Sequence, residues 1–133
     1  MINFLNIIQN IRLLKFKINC MKIIKKPWGK EEVIEINDKY MMKKLTMCKG
    51  HRCSLQLHNI KKETIYVLSG KINIISGPDK KNLTAREYSA GETVTISPGT
   101  VHRMEGIEES IYLEASTPEM DDVVRLIDDY QRE

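Results

Sequence analysis

Three side chains that commonly bind metal ions lie close together in the segment SLQLHNIKKETIYVLSG, residues 54–70. Gln56 and His58 are two residues apart, and Glu63 follows five residues after the histidine. Residues two apart in a β-strand project to the same face, so Gln56 and His58 are expected to point together. Burying the carboxylate of Glu63 beside them would be costly unless a cation compensated its charge. This spacing predicts a divalent metal site among β-strands.

A fourth candidate ligand, His102, lies in the segment GETVTISPGTVHRM, where a turn at 97–99 precedes it. The four side chains together offer nitrogen and oxygen donors without a thiolate, a set that suits Zn, Mn, Fe, Co or Ni. One carboxylate leaves a divalent site with a net positive charge, which makes it a Lewis acid able to polarise a carbonyl or hydroxyl oxygen. The alternative is a set of hydrogen-bonded polar residues inside a barrel that binds no metal.

Short strands separated by turn signals must position these residues. Strands are predicted at 31–36, 40–47, 53–58, 63–68, 71–75, 92–96, 100–105 and 110–115. Many short strands at regular spacing are typical of β-sandwiches and barrels. We expect the strand that Glu63 opens to pair antiparallel with the one that carries His58, which would bring the carboxylate beside the imidazole.

The two ends of the chain differ from this pattern. In STPEMDDVVRLIDDYQRE, a capping threonine and a proline precede apolar residues at helical spacing, Val123, Ile127 and Tyr130, which predicts a short C-terminal helix. Residues 1–20 are rich in Ile, Leu and Asn and are interrupted by polar residues, unlike a transmembrane span. We interpret them either as an upstream extension before a domain at 21–133 or as an amphipathic helix that packs on a partner or a membrane surface.

Charge and cysteine content exclude several classes of protein. The chain has 21 basic and 18 acidic residues. Residues 1–20 contain three of the basic residues and no acidic one, so the rest carries 18 of each, which argues against a nucleic-acid surface. The cysteines, Cys20, Cys48 and Cys53, are odd in number and lack metal-finger spacing. Free thiols are therefore expected, which fits a reducing cytoplasm.

Two segments resemble the motifs of the cupin superfamily. Gly50, Gln56, His58, Glu63 and Gly70 are spaced as in the first cupin motif, with glutamine in place of the usual first histidine. The segment from residue 91 to 102 is similar to the second motif, including its proline-glycine turn and its histidine. The resemblance implies an all-β jelly roll, the double-stranded β-helix, with a metal in its interior.

More narrowly, the chain resembles the cupin domain of type II mannose-6-phosphate isomerases, which also occurs fused to mannose-1-phosphate guanylyltransferase. The matching segments, PWGKEE, MKKLTM, SLQLH, ETIYVLSG, PGTVHR and DDVVRLIDDYQR, span residues 27–132. The resemblance implies that zinc is the first expectation for the metal and that its ligands are Gln56, His58, Glu63 and His102. It also implies an aldose–ketose isomerase of sugar phosphates.

The same resemblance suggests roles for three more residues. Arg132 matches an active-site arginine and is expected to be catalytic, the alternative being a solvated terminus. Lys43 is expected to meet a substrate phosphate unless it is a surface lysine, and Glu114 is expected to contact substrate as a base unless it is a buried partner of a lysine. The chain departs from the family pattern SLQxHHHRxE at 59–61, where Asn, Ile and Lys replace two histidines and an arginine.

Two other functions remain open from the sequence. One is a non-catalytic cupin that binds a sugar or nucleotide sugar in polysaccharide metabolism, which the absence of a fused enzyme domain and the altered turn at 59–62 favour. The other is a metal oxygenase, although oxygenases more often use three histidines. Under each of these functions the expected partners are a small molecule and a second copy of the chain paired through edge strands, with no nucleic acid and no membrane.

Overall fold

The computed structural model describes residues 21–132, and every regular element in this range is a β-strand. The strands are β1 (Lys22–Lys26), β2 (Gly29–Ile36), β3 (Met41–Met47), β4 (Leu55–Leu57), β5 (Glu63–Ser69), β6 (Lys71–Asp79), β7 (Asn82–Ser89), β8 (Thr93–Ile96), β9 (Val101–Gly106), β10 (Ser110–Ser116) and β11 (Val124–Ile127). The predicted N-terminal helix falls on residues 1–20, outside the described range.

The strands form two antiparallel sheets. One sheet has the order β1-β2-β3-β10-β5-β8 and the other has the order β11-β4-β9-β6-β7. From β3 onward the chain passes repeatedly from one sheet to the other, and only the β6–β7 hairpin stays within its sheet. This path is that of a double-stranded β-helix, so the all-β jelly roll predicted from the sequence is confirmed.

The core lies between the inner faces of the two sheets. Along β3 the buried residues alternate with partly exposed ones, and Met41 and Met47 are fully buried. Ile65 and Val67 on β5 face the same core, as does Trp28, which is 3% exposed. Burying one such side chain stabilises the fold by about 1.5–3 kcal/mol relative to leaving it in water. The period-two pattern therefore fixes which residues of each strand face the interior.

Gly70, the last residue of the first cupin motif, forms the tight connection from β5 to β6. Its φ is 78°, in the left-handed region that residues with a Cβ atom rarely adopt. A Cβ atom here would also overlap the backbone carbonyl oxygen of Glu109. The glycine in the motif is thus explained by the turn.

The predicted C-terminal helix is wrong. Val124–Ile127 forms β11, which pairs antiparallel with β4 and places Arg125 opposite Gln56. Thr117, the expected helix cap, instead exchanges hydrogen bonds with Lys62, through its hydroxyl at 3.1 Å and its amide at 3.0 Å. The edge of β4 would otherwise leave backbone groups unpaired, and β11 satisfies them. This tertiary pairing outweighs a weak local helical periodicity.

Besides β11, two strands were missed from the sequence, β1 and β7. Both are edge strands of their sheets, and most of their side chains are exposed or only partly buried. Because an edge strand packs little apolar surface, its sequence lacks the alternation that marks a half-buried strand. Among the described residues there is no helix long and apolar enough to cross a membrane.

Candidate metal centre

The four predicted ligands come from three places in the jelly roll. Gln56 lies in β4 and His58 directly follows that strand, while Glu63 begins β5 and His102 lies in β9. The expected pairing of the first two of these strands is wrong, because β4 and β5 belong to different sheets. Glu63 therefore reaches His58 and His102 across the interior of the barrel.

The carboxylate of Glu63 lies between the two imidazoles. Its Oε1 is 3.2 Å from His102 Nε2, and its Oε2 is 3.6 Å from His58 Nε2. One ligand atom from each of the three residues lies within 4.8 Å of the others, and all three side chains are at most 2% exposed. A metal ion of the size of zinc, with ligands at about 2.0–2.2 Å, needs this degree of convergence.

Both imidazoles are oriented by backbone carbonyls. His58 Nδ1 donates to the carbonyl of Asp122 at 2.5 Å, and His102 Nδ1 donates to the carbonyl of Thr100 at 2.9 Å. This arrangement points each Nε2 at the shared space, and neither Nε2 has a hydrogen-bond partner among the described residues. The two buried Nε2 atoms and the carboxylate of Glu63 are all electron-pair donors that face one another with too few N–H or O–H groups to pair with them. A divalent cation bound between them would satisfy all three.

Gln56 faces the same interior. It is the cross-strand partner of His102, so the two side chains lie on one face of the sheet. Its Oε1 accepts a hydrogen bond from the hydroxyl of Ser54 at 2.7 Å, and it lines the same cavity as His58 and Glu63. The structure thus brings all four predicted ligands to one region of the barrel.

Lys61 is a residue of this site whose place the sequence left undecided. A lysine in a polar turn between two strands is usually exposed to solvent, but Lys61 is 3% exposed. Its Nζ lies 2.8 Å from Glu63 Oε2 and 3.4 Å from Glu114 Oε2. Burial alone would lower the pKa of Lys61, but the two carboxylates outweigh burial and raise it. In the sequence, the only feature that could have placed Lys61 at the site is its position two residues before Glu63.

Glu114 and Lys43 both line the cavity beside the metal ligands. Glu114 is buried, and burial followed by the nearby charge of Glu63 raises the pKa of its carboxyl. For Glu63, burial opposes ionisation, but its contacts with the imidazoles and with Lys61 outweigh burial and lower its pKa. Lys43 is 6% exposed and forms an ion pair with Glu31 at 3.1 Å. The alternative interpretation from the sequence, that Lys43 is a surface lysine, is therefore wrong.

The cavity has a volume of about 340 Å³, within the range of small-molecule sites. Its basic lining residues outnumber its acidic ones. The basic residues are Lys22, Lys26, Lys43, Lys61, Arg125 and Arg132, and the acidic ones are Glu31, Glu63, Glu114 and Asp121. Even without a metal, the cavity therefore presents a net positive charge to an anion.

Arg132 lies at this cavity and is fixed by Asp128. Its Nε and Nη2 donate to the two carboxylate oxygens of Asp128 at 3.0 Å each, and its amide donates to Asp128 Oδ2 at 2.7 Å. The guanidinium also lies over the ring of Tyr130 at 5.4 Å. The arginine near the chain end is thus held in place by its own turn rather than solvated.

This pair makes acid stability testable. Hydrogen bonds from Arg132 are the main reason that the pKa of Asp128 falls to about 2. Because the folded pKa lies below the unfolded value of about 3.9, the pair stabilises the protein above about pH 4 and this contribution is lost as the pH falls to about 2. We expect Arg132→Gln to lower the free energy of unfolding at neutral pH by less than about 1 kcal/mol and to weaken its dependence on pH in this window.

Urea unfolding followed by the emission of Trp28, the single tryptophan, measures this at several pH values. A variant with the same acid dependence as the wild type would contradict the assignment of the pair.

Solved structures with the same fold support the architecture. KdgF from Halomonas sp. aligns over 79% of this chain and 94% of its own, with a TM-score of 0.66 and 16% identity. The oxalate decarboxylase of Lactobacillus farciminis aligns over 81% of this chain and 34% of its own, with a TM-score of 0.69 and 18% identity. The capsular polysaccharide assembling protein CapF of Staphylococcus aureus aligns over 80% and 34%, with a TM-score of 0.66 and 20% identity. These neighbours share the cupin fold.

Curated relatives are similar in sequence over most of this chain. The mannose-1-phosphate guanylyltransferase of Escherichia coli (strain K12) is 30% identical over 117 residues, which is 80% of this chain and 22% of the relative. The xanthan biosynthesis protein XanB of Xanthomonas campestris pv. campestris (strain B100) is 27% identical over 117 residues, 80% of this chain and 23% of its own. The chain spans about a fifth of the length of these relatives.

A family model described as mannose-6-phosphate isomerase C-terminal matches residues 15–128. This range contains the four candidate ligands as well as Lys43, Lys61 and Glu114. With the cupin fold and the similarity to the relatives above, the match establishes that the chain belongs to the mannose-6-phosphate isomerase C-terminal family.

Proposed function

We propose that this protein is a metal-dependent aldose–ketose isomerase of sugar phosphates, with Gln56, His58, Glu63 and His102 as the metal ligands. The observation that carries the proposal is the buried convergence of Glu63 with two imidazole nitrogens that lack partners, beside a positively charged cavity of about 340 Å³. A divalent ion bound there supplies a Lewis acid for the sugar oxygens at C1 and C2. Zinc is the first expectation for this donor set.

Glu114 is the candidate for proton transfer. Converting an aldose to a ketose moves the proton of C2 to C1 and the proton of the C2 hydroxyl to the oxygen on C1. A carboxylate whose pKa is raised by burial is a stronger base than an exposed one and is suited to taking up and returning the carbon-bound proton. Lys61, 3.4 Å from Glu114, keeps a positive charge next to it throughout.

Basic side chains around the cavity are the candidates for binding the phosphate group. Lys22 and Lys26 on β1 and Arg125 on β11 approach the cavity from the two sheets, and Arg132 lies in the segment that follows β11. A phosphate dianion would be attracted by this set, and its planar guanidinium groups can bind phosphate oxygens in pairs. Arg132 is already oriented by Asp128, and we propose that it stabilises the negative charge that develops on the substrate during the reaction.

Proton exchange in heavy water tests the isomerase directly. Metal-loaded protein is incubated with mannose 6-phosphate and related sugar phosphates, and deuterium incorporation at the carbon that loses its proton is followed by NMR. We expect exchange that requires the metal, together with formation of the ketose. Absence of exchange with every sugar phosphate tried would contradict the proposal.

A binding function without turnover is the second candidate. It is favoured because asparagine, isoleucine and lysine at 59–61 replace two histidines and an arginine of the family pattern, and because a structural neighbour is a capsular polysaccharide assembling protein. The chain would then bind a sugar or nucleotide sugar without converting it. Calorimetry that shows binding of such a ligand, with no isotope exchange in the same sample, would select this function.

A further inference from the structure

Asp122 connects the segment between β10 and β11 to the loop that carries the candidate metal ligands. Its carboxylate accepts three backbone hydrogen bonds, from the amides of Asn59 at 3.0 Å, Ile60 at 2.7 Å and Lys61 at 2.8 Å. These three residues, together with Lys62, form the link from His58 to β5. One carboxylate therefore fixes the conformation of the loop between two of the candidate ligands.

The backbone of the same residue orients His58. The carbonyl oxygen of Asp122 accepts the hydrogen bond from His58 Nδ1 at 2.5 Å, and this contact aims Nε2 at Glu63. Asp122 itself does not line the cavity, although its neighbours Asp121 and Val123 do. It is placed to act on the site only through His58 and the loop.

We propose that Asp122 is the positioning residue of the metal centre, holding His58 and the loop at 59–61 in the geometry that ligation requires. The inference rests on the metal site of the proposed function but not on isomerase activity. Its contacts to the loop are all with backbone amides, so they do not depend on which side chains occupy 59–61. This explains how asparagine, isoleucine and lysine can replace the family's two histidines and arginine while His58 keeps its place.

An asparagine at 122 would break this arrangement. Its single carbonyl oxygen can accept from one or two amides, but its NH₂ group would face another N–H donor. Outer contacts that orient a metal-bound histidine typically contribute 10- to 100-fold to metal affinity. We expect Asp122→Asn to weaken zinc binding by about 10- to 100-fold, measured by competition with a chromophoric chelator.

Asp121→Asn is the matched control. It removes the same charge one residue away, beside the cavity, from a carboxylate that makes no hydrogen bond to the described loop. A general electrostatic effect would weaken zinc binding equally in the two variants, and that result would overturn the proposal. A larger loss in Asp122→Asn supports it.

NMR of the metal-free protein supplies a readout independent of metal and activity. The chain has three histidines, and a slowly exchanging ring proton on Nδ1 is expected for the buried His58 and His102 but not for the exposed His51. Asp122→Asn keeps the backbone carbonyl that accepts from His58 but releases the loop at 59–61, so the His58 ring proton should exchange faster with solvent while the His102 signal remains as an internal reference.

The wild-type spectrum alone can overturn the proposal if no protected Nδ1 proton of His58 is present, so the proposal is testable even if the variant fails to fold. An unchanged exchange rate of the His58 ring proton in a folded Asp122→Asn variant would also overturn it.

Discussion

Replacing His58 by alanine should abolish metal binding. The imidazole supplies one of the three buried ligand atoms that converge within 4.8 Å, and no other histidine of the chain is near enough to replace it, because His51 lies in an exposed turn. Losing a direct ligand should cost more than losing an outer contact, so affinity should fall by at least about 100-fold, or about 2.8 kcal/mol. Purified wild-type protein should contain about one divalent ion per chain, as a single four-ligand site requires.

Elemental analysis of the wild type, His58→Ala and His51→Ala measures this without any assumption about the metal or the substrate. His51→Ala removes a histidine of the same chemistry whose side chain, among the described residues, hydrogen-bonds only to the carbonyl of Lys49, so this variant should keep its metal. Equal metal content in His58→Ala and the wild type would contradict the site. Loss of metal in both variants would point to non-specific binding by histidine.

The convergence of the candidate ligands could be expected from the sequence because it depends on residue types at short spacings. Gln56 and His58 had to share a face, and a carboxylate five residues later had to be compensated if it were buried. His102 could be added because the glycines and the turn before it match a known motif. These inferences use only the local strand periodicity and the energetic cost of burying a charge. They do not depend on the path of the chain through the two sheets.

What could not be predicted depends on contacts between distant parts of the chain. The segment that forms β11 has apolar residues at helical spacing, and only its pairing with β4 makes it a strand. Likewise, Lys61 lies in a polar turn whose exposure depends on Glu114 from β10, 53 residues away. The contact of Asp122 with the loop has a separation of 61 to 63 residues. Spacing rules contain no information about such pairs.

Replacing Lys61 by methionine should destabilise the metal-free protein strongly. The ammonium group lies between Glu63 and Glu114, all three residues are buried, and the variant would leave two carboxylates without their shared cation. Removing one partner of a buried ion pair typically costs about 3–5 kcal/mol in free energy of unfolding. Lys62→Met is the matched control, because Lys62 is exposed and a surface change of this kind usually stays within about 0.5 kcal/mol.

Acid and metal should each reduce the loss of stability in Lys61→Met, because each neutralises one of the two buried carboxylates that the variant leaves without a cation. The pKa of Glu114 is already raised by burial and by Glu63, and removing Lys61 should raise it further. A group whose folded pKa is raised binds its proton more tightly in the native state, so the difference from the wild type should be largest near neutral pH and shrink as the pH falls toward the unfolded pKa of about 4.3.

A divalent ion bound at Glu63 should also reduce the difference, because it compensates the second carboxylate and stabilises the folded state by an amount that rises with the logarithm of its affinity. Urea unfolding of Lys61→Met and Lys62→Met, with and without zinc, distinguishes these contributions. If the two variants lose the same stability, or if zinc leaves the gap between them unchanged, then Lys61 is not the cation that holds the carboxylates of the metal-free cavity in place.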